Sequence, residues 1–169
     1  MTTIRRLHTV AEAELQQLAE VLMDCVAGGA SVGFMQPLAP ERARAFWRGV
    51  AAGVERGERV LLVAEDAEGI AGTAQVVLAM PDNQPHRADL SKMLVHRRAR
   101  RGGVGAALLR EAEVAAREAG RTLIVLDTAS AEAERLYERG GYVSAGVIPG
   151  YALWPQGGPC DTRIYYRAL

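Results

Sequence analysis

From His96 to Leu108 the chain reads His-Arg-Arg-Ala-Arg-Arg-Gly-Gly-Val-Gly-Ala-Ala-Leu, and this segment concentrates the means of holding a phosphate. Arginines stand at 97, 98, 100 and 101, and Gly102, Gly103 and Gly105 follow directly. The residues before the segment read as a strand and those after it as a helix. A helix N-terminus presents unpaired backbone N–H groups and a partial positive charge. Glycine lets an anion approach those groups closely, and arginine adds charge-assisted hydrogen bonds. Together they describe a pyrophosphate cradle. Its floor is the backbone from Gly103 through Val104, Gly105 and Ala106 to Ala107, with Arg100 and Arg101 assisting. A nucleotide-hydrolysing loop is not supported, because Gly105 is followed by Ala106-Ala107 where Lys-Ser/Thr is required and no Mg²⁺ ligand is supplied. A dinucleotide fingerprint comes nearer. Gly103 and Gly105 supply two of its three glycines, and Asp127 falls roughly 20 residues on. Leu108 stands where the third glycine belongs, however, and the rest of the chain is too short for a second nucleotide half and a substrate region.

Other chemistries lack their residues. There is no Gly-x-Ser-x-Gly elbow, no His-Glu-x-x-His and no Cys-x-x-Cys. The three histidines, His8, His86 and His96, are scattered, so no metal site is expected. His86 is a candidate base by its near-neutral pKa, although it sits at a loop edge. Cys160 has no adjacent base or helix N-terminus to make it a nucleophile.

The elements that must position the cradle come from period and punctuation. Ile4–His8 reads as a strand and 11–26 as a helix, on the stripe Leu15, Leu18, Leu22 and Cys25. Ser31–Pro40 is a loop carrying Phe34. A second helix opens at Pro40, with Phe46, Trp47, Val50 and Val54 on its apolar side. The period then changes to two. Strands are expected at 59–65 and 70–80, with a hairpin turn at 66–69, and a third at 88–96. A helix comes next over 103–119, then a buried strand over 122–127, and a shorter helix over 130–139 with Ser130 as N-cap. Strands at 142–148 and 161–167 close the chain, with 149–159 as a loop. Hairpins plus a strand-helix-strand crossover imply an α/β fold, a mixed sheet with helices on its faces.

The chain has 169 residues, which suits one domain spanning 1–169. Hydrophobic residues make up 49% and charged residues 24%, so disorder of the bulk is excluded. Twenty basic residues balance twenty acidic ones, and aromatics are 5% of the chain. Neither a phosphate track nor a stacking platform is indicated, so no nucleic acid partner is expected. No apolar run approaches the roughly 20 residues of a membrane span, and the N-terminus does not read as a signal peptide. Two cysteines far apart, Cys25 and Cys160, suggest free thiols in a reducing compartment. A cytoplasmic protein without a membrane partner is expected, as a monomer or homodimer.

Arg100-Arg-Gly-Gly-Val-Gly105 resembles the Arg/Gln-x-x-Gly-x-Gly/Ala motif of the GCN5-related N-acetyltransferases, the GNAT family. Leu136-Tyr-Glu-Arg-Gly-Gly-Tyr142 resembles that family's Leu-Tyr-x-x-x-Gly-Phe/Tyr segment at the usual distance. Outer segments look like its tabtoxin-resistance subgroup: Gly33-Phe34-Met-Gln-Pro-Leu, Phe46-Trp47, Asn83-Gln-Pro-His86-Arg-Ala-Asp89, Leu126-Asp127-Thr128, Pro149-Gly-Tyr151 and Ile164-Tyr-Tyr166. The resemblance implies a mostly antiparallel central sheet with a splayed central strand pair, and acetyl-CoA as co-substrate bound at 100–107. Ser130 stands where the family commonly has a coenzyme-contacting asparagine. The implied reaction is direct acetyl transfer to the amine of a small molecule, of an amino-acid-like or β-lactam-toxin kind.

Amine acetylation needs a neutral amine, a stabilised oxyanion and a proton for the departing thiolate. The resemblance implies that Asp89 and Asp127 form the base pair, with Asp89 first, and that Tyr137 is the general acid. Backbone N–H groups near Leu94 and Val95 are expected at the oxyanion. Phe34, His86 and Tyr151 are expected to shape the acceptor pocket. The competing reading is a non-catalytic acyl-CoA-binding module of the same fold.

Overall fold

The computed structural model describes residues 1–169. In chain order the elements are β1 (Thr3–Leu7), α1 (Glu12–Ala27), α2 (Pro40–Glu55), β2 (Arg59–Asp66), β3 (Gly69–Val77) and β4 (Arg87–Val95). After them come α3 (Val104–Glu118), β5 (Leu123–Thr128), α4 (Ala131–Arg139), β6 (Val143–Leu153) and β7 (Pro159–Ala168). The strands form one seven-stranded sheet in the order β1-β2-β3-β4-β5-β7-β6. Every neighbouring pair is antiparallel except β4 and β5, which are parallel and joined through α3. No helix is long and apolar enough to cross a membrane.

Period-2 patterning divides the sheet into two faces, each covered by helices. One face buries Val60, Leu62, Ala74, Val76, Leu90 and Ile124 against α3 and α4, together with Leu108, Ala112 and Tyr137. The other buries Leu61, Val63, Ile70 and Leu94 against α1 and α2. Leu18, Leu22 and Cys25 line the inner side of α1, as their spacing predicts, and Trp47 is fully buried from α2. Pro40 occupies the first turn of α2, where its missing N–H costs nothing.

One expectation is overturned. Residues 149–153 are not part of the closing loop: they continue β6, and only Trp154–Gly158 turn the chain. Pro149 is tolerated because β6 is the edge strand and its register is irregular between Ile148 and Ala152. Gly150 takes a left-handed φ of +62° and its N–H donates to Asp161 Oδ1 at 2.8 Å, so a side-chain carboxylate replaces the missing ladder bond. The strand expected over 70–80 also ends earlier, at Val77, and the residues after β4 form a short 3₁₀ turn over Arg97–Ala99.

Strand β4 is irregular on both of its edges. Its ladder with β5 holds only the pairs Arg87–Leu123, Ala88–Ile124 and Asp89–Val125. Beyond Asp89 the two strands part, and the backbone groups of Leu90 to Val95 that face β5 have no strand partner. On its other side β4 carries a bulge: Gln75 pairs with Ser91 but Thr73 with Leu94, and Lys92 adopts φ +50°. The extra residue turns β4 away from β5 and opens the sheet.

Candidate active site

The opening between β4 and β5 is the mouth of a cavity of about 760 Å³. It runs from the start of α3, past Leu94 and Val95, to Asp127, Tyr137 and Tyr151. A smaller cavity of about 250 Å³ adjoins it, with Asp89, Ser91, Asp127 and Tyr151 in its wall.

At one end lies the glycine turn. Gly103 is the N-cap of α3 at φ +79°, ψ 2°, and offers no side chain to cap the helix. The sequence thus withholds the Ser, Thr, Asp or Asn that usually satisfies the first N–H groups. Those of Val104, Gly105 and Ala106 are left for a ligand. Ala107, expected in the cradle, donates its N–H to the Gly103 carbonyl at 3.0 Å and belongs to the helix instead. A Cβ on Gly105 would come within 3.2 Å of Leu136 Cδ2, so glycine there also lets α3 approach α4.

The arginine cluster divides its labour. Arg97 gives its backbone N–H to Asp24 Oδ2 and its Nε to Asp24 Oδ1, both at 2.8 Å, which ties the turn to the end of α1. Arg98 pairs with Asp66 at the end of β2. Arg100 and Arg101 enter no ion pair, and both line the cavity. Arg100 is oriented by its Nε bond to the Val95 carbonyl at 3.1 Å. Arg101 and Gly102 are exposed, with Arg101 at φ +63°. Two arginines therefore hold the turn and two remain for an anion. Ser130 Oγ accepts from Ala133 N–H at 3.1 Å, capping α4, and the residue also lines the cavity.

At the other end stand the groups able to move protons. Asp127 is two residues past the last β4–β5 pair, borders both cavities, and accepts from Thr162 Oγ at 3.1 Å. Asp89 lies on the same face of the sheet but borders only the smaller cavity, and its carboxylate is paired with Arg87. Tyr137 reaches the large cavity from α4, in a group with Tyr142 and Tyr165 at ring distances of 5.8 and 6.1 Å. Burial pushes its phenol well above the ordinary value, and the charge on Asp127 adds to the shift. It is therefore a held proton at neutral pH.

The expected acceptor residues separate. Tyr151 is 58% exposed and overhangs both cavities. Phe34 does not line the cavity: it packs edge-on against Phe46 at 5.3 Å, behind Gly33, which does. His86 is exposed at the paired, N-terminal end of β4, where its carbonyl accepts from Thr122 and Leu123, and it lies outside both cavities. Sequence reasoning missed Lys92 and Thr162, and it named the thiols Cys25 and Cys160 without placing them at the site; all four line the large cavity. Thr162 could have been found as an inward position of a period-2 strand; the bulge at Lys92 leaves no signal in the sequence. Burial pushes the Cys25 thiol up, so it remains protonated and unreactive.

An anion cradle on an uncapped helix, a splayed parallel strand pair and a tyrosine at the far end are the marks of an acetyltransferase of the GNAT type. Residues 57–144 match the family model described as an acetyltransferase (GNAT) domain. The chain is 32% identical over 127 residues to an uncharacterised N-acetyltransferase of Azospirillum brasilense, from the hisH–hisA intergenic region, covering 74% of each protein. In structure it resembles the ribosomal-protein-alanine N-acetyltransferase of Brucella melitensis, with a TM-score of 0.82 at 24% identity over 99% of both chains. It also resembles a phosphinothricin acetyltransferase of Sinorhizobium meliloti solved in complex with acetyl-CoA. There the TM-score is 0.80 at 20% identity, over 99% of this chain and 88% of that one. The chain belongs to the GNAT acetyltransferase family, N-acetyltransferases that draw on acetyl-CoA.

Proposed function

We propose that this enzyme acetylates the amine of a small molecule of amino-acid-like kind, by direct transfer from acetyl-CoA. The observation that carries the reading is a single cavity with the anion cradle at one end and Asp127 and Tyr137 together at the other. Acetyl-CoA supplies the activated acetyl group. The N–H groups of Val104, Gly105 and Ala106 and the side chains of Arg100 and Arg101 hold its pyrophosphate. Backbone N–H groups of the Leu94–Val95 region, where β4 has parted from β5, line the path of the reacting end and face the oxygen on which charge develops, while the Val95 carbonyl is taken up by Arg100. Asp127, directly or through water, takes the proton from the acceptor's ammonium. Asp89, its charge largely met by Arg87, borders the acceptor side of the opening and helps to place the ammonium there. Tyr137 returns a proton to the sulfur that leaves. Tyr151 covers the acceptor from the β6 side. The tabtoxin-resistance resemblance points to a β-lactam toxin as one acceptor of this kind.

The whole chain acts as one domain in this reading, in the cytoplasm, as a monomer or homodimer, with no metal, nucleic acid or membrane partner. The test is thiol release from acetyl-CoA over a panel of small amines. Release dependent on an added amine, with N-acetyl product by mass spectrometry, is the expected result. Tight coenzyme binding with no release on any amine would assign a binding module instead.

A further inference from the structure

Lys92 has no part in the assigned reaction, yet it stands in the wall of the large cavity. The bulge puts it there: at φ +50° its side chain leaves the regular alternation of β4. Its Nζ lies 5.7 Å from the centroid of the Phe46 ring, and a Cβ on Gly33 would come within 3.8 Å of it. No hydrogen bond or ion pair within the chain engages this ammonium. Burial lowers its pKa first, the charge on Arg59 lowers it further, and only Asp127 opposes them. Such an ammonium gains when an anion comes to it.

The unpartnered buried polar atoms on its side of the sheet include no acceptor. Gln75, paired across the ladder with Ser91, is 1% exposed; its Oε1 is taken by Arg59 Nη1 at 2.9 Å and its Nε2 has no partner. Trp47 Nε1 and Arg59 Nε, on the same side of the sheet, are also buried without partners. The unmatched groups of this layer are all donors. From β5, Asp127 presents a carboxylate to the same cavity, without forming an ion pair to Lys92. One wall thus offers an anion and another a cation, kept apart, which suits a ligand carrying both charges.

We propose that Lys92 binds a carboxylate of the acceptor, so that the preferred acceptors are amines that also carry an acid group. The acceptor's amine faces Asp127 and its carboxylate faces Lys92, with the Phe46 ring beneath the ammonium to keep water from it. This rests on the acetyl-transfer reading and narrows the substrate class within it.

The test uses matched acceptors: glycine, β-alanine and methionine against their carboxamides, with thiol release measured at saturating acetyl-CoA. A charge-assisted bond sets the wild-type preference for acid over amide at roughly 10- to 100-fold in kcat/KM, carried by KM. In Lys92→Met and Lys92→Gln that ratio falls to within about threefold of one, while Lys92→Arg keeps most of it. Coenzyme affinity, measured by calorimetry on each variant, reports folding separately. Equal use of acids and amides by the wild type, or a preference that survives in the Met and Gln variants, overturns the proposal and leaves acetyl transfer standing. Coenzyme binding without release on any acid or amide overturns both.

Discussion

Asp89 and Asp127 are equivalent on paper, each a strand carboxylate beside the crossover, and only their neighbours tell them apart. Asp89 spends its charge on Arg87, whereas Asp127 accepts a single hydroxyl bond from Thr162 and borders the cavity that holds the cradle. The sequence ranks Asp89 first as base; the proposed reaction gives that part to Asp127. Asp127→Asn should lower kcat by about 10²-fold or more at neutral pH. Part of that loss should return at high pH, where solvent deprotonates the amine. Asp89→Asn should cost less and appear mainly in KM. A larger kcat loss for Asp89→Asn, with recovery at high pH, would restore the order read from sequence. Tyr137 is a simpler case, because its identity and its inward face are both legible in the Leu-Tyr-x-x-x-Gly pattern. Tyr137→Phe removes the proton and keeps the ring packing against Tyr142 and Tyr165. A fall of about 10-fold or more in kcat with unchanged coenzyme affinity is expected, checked by steady-state kinetics beside calorimetry. Unchanged kcat would leave Tyr137 a packing residue.

The cradle belongs to an element rather than a residue, since three N–H groups of α3 act together. Gly105→Val tests it at a position with ordinary helical geometry. Its branched side chain would meet Leu136 from α4 and Val95 from β4, crowding the turn that presents the N–H groups. Coenzyme affinity should fall by about tenfold or more, read by titration calorimetry, and full affinity in the variant would remove the anion from this site. The main elements were legible because their signals are local: a 3.6 period for α1 and α2, Pro40 at a helix start, Ser130 at another, and apolar runs for β2 and β5. What escaped depends on contacts distant in sequence. Pro149 and Gly150 read as a loop, but they continue β6 because Asp161, on the neighbouring strand, accepts the Gly150 N–H. The same holds for the arginines. Arg97 and Arg100 look alike in sequence, and Asp24, 73 residues away, decides that the first is structural.

At the scale of the whole molecule, the ionisable groups that hold the turn and the core should set the pH range of stability. Burial pushes the Asp24 carboxyl up, but the Arg97 backbone N–H and guanidinium outweigh it, so it ends below its ordinary value of 3.8. The hydrogen bond from Arg98 likewise holds Asp66 low. A carboxyl depressed in the native state leaves more protons on the unfolded chain, so its contribution is complete above the unfolded value and is lost as pH falls below about 4. Burial raises the phenols of Tyr137 and Tyr142, with Asp127 and Glu113 adding to it respectively. There the native state holds the extra proton, so stability is complete below about 10 and is lost as pH rises further. The melting temperature should be flat between roughly pH 5 and 9 and fall on both sides. Asp24→Asn isolates the acid limb. The carboxylate is 13% exposed and accepts two hydrogen bonds from Arg97, so its loss should cost about 1–2 kcal/mol at pH 7. For a chain of this length that lowers the melting temperature by roughly 2–4 °C per kcal/mol. The gap between variant and wild type should close as pH falls through about 4, because protonation does to the wild type what the substitution has already done. Circular dichroism melts in steps from neutral pH down to about pH 3 would read it. A gap that stays constant down to about pH 3 would mean that the Asp24 charge contributes nothing to folding and that packing alone holds the turn in place.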